Sequence, residues 1–159
     1  MQNTAAPRDS SQFVTIGIDN EIFAFEVDQV REILDMQTIS RVPNAPPFMA
    51  GMIDVRGQGV PVIDLRRKLG LPATATTQNT RIVVLEVLTD SGQTTMGMIA
   101  DRVIEVTALS EHDMEAPPNV GVRWRSDYIR AISRSGGAFV IIFDLAHLFS
   151  SEDVALLDS

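Results

Sequence analysis

Residues 48–71, FMAGMIDVRGQGVPVIDLRRKLGL, decide the fold. Phe48 and Met49 make a short apolar turn, residues 52–55 read as a strand, and Gly57 and Gly59 frame a corner. Residues 60–63 return as a second strand rich in β-branched side chains. Asp64 then stands where it caps a short basic helix through Leu69, with Gly70 as its C-terminal stop. The corner carries one charge, Arg56, between Val55 and Gly57.

Working outward, residues 1–11 are small and polar and predict a disordered lead. Residues 13–18 alternate as a strand, Asp19-Asn20-Glu21 turn it, and residues 22–25 complete a hairpin. Val27, Val30, Ile33 and Leu34 fall at helical spacing, which predicts a helix with Asp28 at its start and Arg31 and Glu32 facing outward. Ile39 and Val42 predict a short strand, ended by the Pro-rich residues 43–47. Beyond the opening stretch, residues 71–80 have little to bury and read as a linker. Residues 81–88 form the most strand-like run, turned at 90–93 and returned by 95–103, with a further strand over 103–109. The acidic segment 110–120 predicts a surface loop. Residues 128–133 and 138–143 predict a hairpin across Ser135-Gly136-Gly137. Asp144 opens a helix through Phe149, and a last helix or tail occupies 150–159. Many short strands with few helices place the chain in the mainly β class.

The two halves resemble each other. Residues 23–33 align with 96–106, sharing Asp28/Asp101, Val30/Val103 and Glu32/Glu105. Residues 48–65 align without a gap with 128–145, sharing Gly57/Gly137, Val60/Val140, Asp64/Asp144 and Leu65/Leu145. This predicts two copies of one small β unit within a 12–149 domain, with lobes 12–70 and 81–149. The repeat is also a control, because a residue the frame needs recurs whereas a functional residue is free to be unique. Gly57 and Gly137 are then structural corners, and Asp64 and Asp144 helix caps. Arg56 aligns with Gly136, so the frame does not demand an arginine there.

The 159 residues, 45% hydrophobic and 21% charged, suit a soluble globular chain. A net charge of −8 argues against nucleic acid. With no cysteine there is no disulfide, thiolate metal site or Cys nucleophile. No run approaches the ~18 apolar residues of a membrane helix, and the start lacks a signal-peptide core, so a cytoplasmic protein without direct membrane insertion is expected. Catalysis has poor support. His112 sits in the acidic loop and His147 on a helix flank, and no nucleophile elbow is present. His112, Asp113 and Glu115 are weak against known metal spacings, and Gly57-Gln58-Gly59 leads into a strand rather than a phosphate-binding helix start. No cofactor or metal is expected. A binding module is favoured, with Met36, Met49, Met52, Met96 and Met98 read equally as docking surface or core filler.

Several runs carry a family resemblance. Residues 28–33 (DQVREI), 41–46 (RVPNAP), 48–57 (FMAGMIDVRG), 60–66 (VPVIDLR) and 96–103 (MGMIADRV), with the Ala-Pro-Pro loop and Phe143-Asp-Leu, are similar to the CheW-like chemotaxis domains over residues 12–149. The resemblance implies two five-stranded SH3-like β-barrel lobes around a shared core. It implies a non-catalytic adaptor that couples the cytoplasmic tip of methyl-accepting chemoreceptors to the regulatory domain of a CheA-type histidine kinase, recruited to membrane-associated arrays. Val30, Glu32, Arg56, Gly97 and Val106 match the receptor-facing positions, and Leu34, Ile39 and Val42 the kinase-docking region. Asp54, where Asn is usual, and Gln58-Gly59, where bulkier residues often sit, depart from the pattern. Two alternatives stay open: an adaptor of a non-flagellar sensory array, and a small β-barrel ligand-binding domain or enzyme using His112, Asp113 and Glu115.

Overall fold

The computed structural model describes residues 10–89, 92–116, 128–135 and 137–149. The N-terminal hairpin pairs β1 (Ser10–Ile18) with β2 (Glu21–Glu26), and a single 3-10 turn at Val27–Gln29 leads into β3 (Val30–Asp35). The opening stretch becomes β4 (Met49–Val55), β5 (Gln58–Asp64) and the one-turn helix α1 (Leu65–Lys68). After the linker come β6 (Arg81–Thr89), β7 (Gly92–Ala100) and β8 (Arg102–Ser110), then a 3-10 turn and the two-residue β9 (Met114–Glu115). β10 (Ile129–Ser135), β11 (Ala138–Phe143) and α2 (Leu145–Leu148) complete the described chain.

These strands make two sheets, in the orders β3-β6-β7-β5-β4 and β8-β1-β2-β11-β10-β9. The fold is mainly β with two lobes. The internal repeat maps one strand order onto the other, with β3 answering to β8, β6 to β1, β7 to β2, β5 to β11 and β4 to β10. Parallel pairings occupy the same place in both sheets, β5 with β7 and β11 with β2. The five-stranded sheet therefore takes three strands from the first repeat and a hairpin from the second, and the six-stranded sheet takes four strands, the short β9 among them, from the second repeat and a hairpin from the first, so the sheets do not follow the expected lobes 12–70 and 81–149. The chain crosses between sheets at Val27–Gln29 and at Asp101. The expected strand 95–103 is cut at that second crossover.

One core serves both sheets. Val14, Ile16, Phe23 and Phe25 meet Val83, Leu85, Met96 and Met98, and Leu65 of α1 and Leu145 and Leu148 of α2 close the ends. Phe23 and Phe143 stack at 4.9 Å between ring centres. Burial of such side chains contributes roughly 1.5–3 kcal/mol each. A smaller cluster, Ile53, Val60, Val62 and Ile82, fills the β3–β7 sheet's own interior. Both helices start as expected, since Asp64 Oδ1 accepts from Arg66 N at 3.0 Å and Asp144 Oδ1 from His147 N at 3.2 Å. Gly70, at φ +75°, follows α1 and donates to Arg67 O.

Other expectations are corrected. The helix expected over 27–34 is one 3-10 turn and then a strand, because Val30 to Asp35 satisfy their backbone groups on β6. The strand expected at Ile39–Val42 reduces to one antiparallel bridge, Ser40 with Met52. The segment 110–120 is in part ordered by β9 pairing with β10. Ser10 and Ser11 belong to β1 rather than to a lead. The expected lead over 1–9 and the helix or tail over 150–159 lie outside the described residues.

Candidate functional site

Val55 pairs with Gln58, which leaves Arg56 and Gly57 as a two-residue turn. Their φ angles are +53° and +84°, the signature of a type I′ turn that matches the strand twist. Asp54 Oδ1 accepts from Gly57 N at 2.7 Å, so the unusual aspartate ties the turn. For an arginine the left-handed region costs about 1 kcal/mol or more, a strain that glycine avoids. Arg56 Nη1 donates to Glu32 Oε2 at 3.1 Å, with the arginine side chain 78% exposed and the glutamate 21%. β3 supplies this acid by alternation, directing Val30, Glu32 and Leu34 to its more buried side and Arg31, Ile33 and Asp35 outward. The pair borders a shallow recess of about 80 Å³ lined also by Val84 and Thr95.

The other receptor-facing candidates divide. Val30 packs half-buried on the shared core, as does Val103, its counterpart on β8. Val106 lies on β8, an edge strand, and is 55% exposed with Ile104 near it in sequence and also exposed. Gly97 does not fit a surface role. It is buried inside β7, where a Cβ would stand 3.0 Å from Ile82 Cγ2 and 3.3 Å from Val62 Cγ2. Close packing of three strands explains the glycine, and its counterpart Ala24 is also fully buried. The structure thus joins Glu32 to Arg56, keeps Val30 on the same strand as the acid, and places Val106 on the other sheet.

Leu34 and Ile39 rest on the smaller cluster, and Val42 is exposed. Ile39 and Val42 open onto a groove of about 580 Å³ whose apolar lining includes Met36, Met49 and Ile99. Of the rival trio, His112 and Asp113 are exposed on the 3-10 turn while Glu115 turns to Arg134 at 3.4 Å. Among the described residues no three of His, Asp and Glu come together as a metal site.

Sequence reasoning missed Arg66, which is 8% exposed. Its Nε and Nη2 donate to Asp101 at 3.1 and 3.0 Å, Nη2 also reaches Asp19, and Nη1 donates to Pro72 O at 2.7 Å. The hydrogen bond that Arg66 donates to Asp101, outweighing burial and helped by Asp19, raises the Arg66 pKa. Burial pushes Asp101 up, but hydrogen bonds from Arg66 and the Asp19 N–H, with the charges of Arg66 and Arg102, hold it below the ordinary value. The cluster joins α1 to the β1–β2 turn and to the second crossover. Only its lack of a repeat partner, since Arg66 aligns with Ala146, would have flagged it.

Comparison with known proteins agrees with this architecture. The model of the CheW-like domain family matches residues 12–153. The chain is 30% identical over 148 residues to a chemotaxis protein CheW of Klebsiella aerogenes, covering 93% of this chain and 87% of that one. It is 32% identical over 124 residues to the Bacillus subtilis chemotaxis protein CheW, covering 78% and 76%. A crystal structure of the scaffolding protein TtCheW from Thermoanaerobacter tengcongensis superposes with a TM-score of 0.82 at 25% identity, covering 96% of each chain.

Proposed function

The chain belongs to the CheW-like domain family and is a chemotaxis coupling adaptor, and we propose that it joins chemoreceptor tips to a CheA-type kinase through two separate faces. The receptor face is centred on Arg56 and Glu32, with Val30 beside them and the exposed Val106 as an apolar contact. The observation that carries this assignment is an arginine held in a left-handed turn position, where the repeat has Gly136. The frame gains nothing from that residue, and strain retained at one point suggests a use there.

A receptor tip is a helical hairpin with apolar and charged surface. Val106 supplies apolar area, and the guanidinium of Arg56 offers a donor fork that suits a carboxylate or a helix C-terminus. Glu32 holds that fork in place before the partner arrives, which reduces the ordering cost of binding. The kinase face comprises Leu34, Ile39 and Val42, of which the last two open onto the groove. No catalytic step belongs to this reading. Localisation follows from partners rather than from insertion, as no helix among the described residues is long and apolar enough to cross a membrane.

The test is a pair of binding titrations with Arg56→Glu, one against a receptor cytoplasmic fragment and one against the kinase regulatory domain. Receptor binding should weaken by about 1–3 kcal/mol with kinase binding and circular dichroism unchanged. Unchanged receptor binding sinks the assignment.

A further inference from the structure

The linker read from sequence as inert is tied down at both ends. At its start, Arg66 Nη1 donates to Pro72 O at 2.7 Å. At its end, Thr77 N donates to Thr80 Oγ1 at 2.9 Å, Asn79 N to Thr77 Oγ1 at 3.0 Å, and Arg81 Nη1 to Gln78 O at 2.8 Å. A passive spacer needs none of these bonds. Between the anchors, Thr74, Ala75 and Thr76 line the same groove as Ile39 and Val42.

The groove's other wall is held in a matching way. Arg67 Nη1 donates to Pro47 O at 3.1 Å, Met49 N to Pro46 O at 2.9 Å, and Asp64 N to Phe48 O at 2.8 Å. Adjacent arginines of α1 therefore hold two of the segments that line the groove, one the linker and the other the Pro-rich loop 43–47. Ile39, Met49 and Ile99 give the groove its apolar lining and Asp64, Arg66, Arg67 and Asp101 a charged one, while the linker contributes only the small side chains of Thr74, Ala75, Thr76 and Thr80. Arg41 also lines the groove and makes no ion pair or side-chain hydrogen bond among the described residues.

We propose that residues 74–76 form the second wall of the kinase-docking groove, admitting an apolar side chain of the kinase regulatory domain between themselves and loop 43–47, with Arg66 as the positioning residue. This rests on the assignment of Ile39 and Val42 to the kinase face. Width is then a specificity device, since the small Thr-Ala-Thr side chains set how large an inserted side chain can be. The occupant carries a carboxylate beside its apolar side chain, to meet Arg41.

The test uses the full chain carrying Ala75→Arg, with Thr76→Lys as a second wall variant and Val42→Asp as the marker of the face itself. Each is titrated against the purified kinase regulatory domain and against a receptor cytoplasmic fragment, with thermal melting followed in parallel. Ala75→Arg and Thr76→Lys alter exposed positions outside the core, so melting should hold. Both should weaken kinase binding by at least about tenfold, as should Val42→Asp, with receptor binding unchanged. Parent-like kinase binding in both wall variants, while Val42→Asp fails, overturns the wall and leaves the face. Parent-like binding in all three overturns the face as well.

Discussion

The two hairpin corners of this molecule are one design used twice and departed from once. β4–β5 turns through Arg56 and Gly57, and between β10 and β11 the counterpart of Gly57 is Gly137, with Gly136 in the sequence position of Arg56. The second glycine sits at φ +84° in one and +85° in the other. Each corner feeds an aspartate that caps a one-turn helix. The differences lie in side chains that the backbone does not require. The first corner holds a strained arginine paired to Glu32, and α1 carries Arg66, Arg67 and Lys68 where α2 has Ala146, His147 and Leu148. The two crossovers differ in the same sense. Asp101 is bound by Arg66, while Asp28, its counterpart, lies exposed on the 3-10 turn. A duplicated frame thus carries the strained arginine and the buried Arg66 at positions where the other copy has Gly136 and Ala146.

Making the first side resemble the second is the most direct challenge to that contrast. Arg66→Ala copies Ala146 into α1 and strands Asp101, and should cost about 2–3 kcal/mol in urea denaturation. This is below the range for a fully buried pair because Asp19 is half exposed. A loss under about 1 kcal/mol would mean that the cluster is decoration. Gly57→Val and Gly137→Val should each cost about 2 kcal/mol, through backbone strain alone, since a Cβ at either site meets nothing within 4 Å. Unequal costs would break the equivalence of the corners. Arg56→Gly should leave stability within about 1 kcal/mol of the parent, as relief of strain offsets the lost ion pair. Its effect should appear instead in titrations with a receptor fragment.

Acid should separate the crossovers most mildly. The Asp101 pKa is lowered by folding, so its contribution is complete above the ordinary carboxylate value and fades as pH falls through the lowered one. Arg66 is raised, so it stays charged throughout that window. Urea midpoints measured from about pH 5 down to pH 2 should therefore fall more steeply for the parent than for Asp101→Asn. Parallel slopes would remove Asp101 from the acid response.

Where the signal was local, the sequence was readable. The Gly-framed corners, the Asp caps and the β10–β11 hairpin are written in a few adjacent residues, and the uniqueness of Arg56 followed from aligning one half on the other. The β3 error had a physical source. Val27, Val30, Ile33 and Leu34 fit a helix by spacing, yet the unpaired edge of β6 offered a ladder of backbone bonds, and Val30 and Ile33 are β-branched. Sheet membership was invisible for another reason: a repeat shows that two units exist but not which hairpin pairs with which strands. The crowding around Gly97 was invisible because the side chains that cause it come from β5 and β6. The groove was missed because its lining comes from segments far apart in sequence, around residues 36–50, 64–67, 74–80 and 99–101.

The exchange of hairpins between the sheets also bears on how the chain is made. Ile22 pairs with Val140, and Val14 with Val106, so the first hairpin to leave a ribosome finds its neighbours only when nearly all of the chain has followed. Until then β1 and β2 expose Phe13, Phe23 and Phe25, which are completely buried in the finished protein. Pairings so distant in sequence make closure slow. Synthesis is therefore the most aggregation-prone moment for this molecule, and a cut within residues 72–80 would yield two pieces that each lack the hairpin completing their sheet.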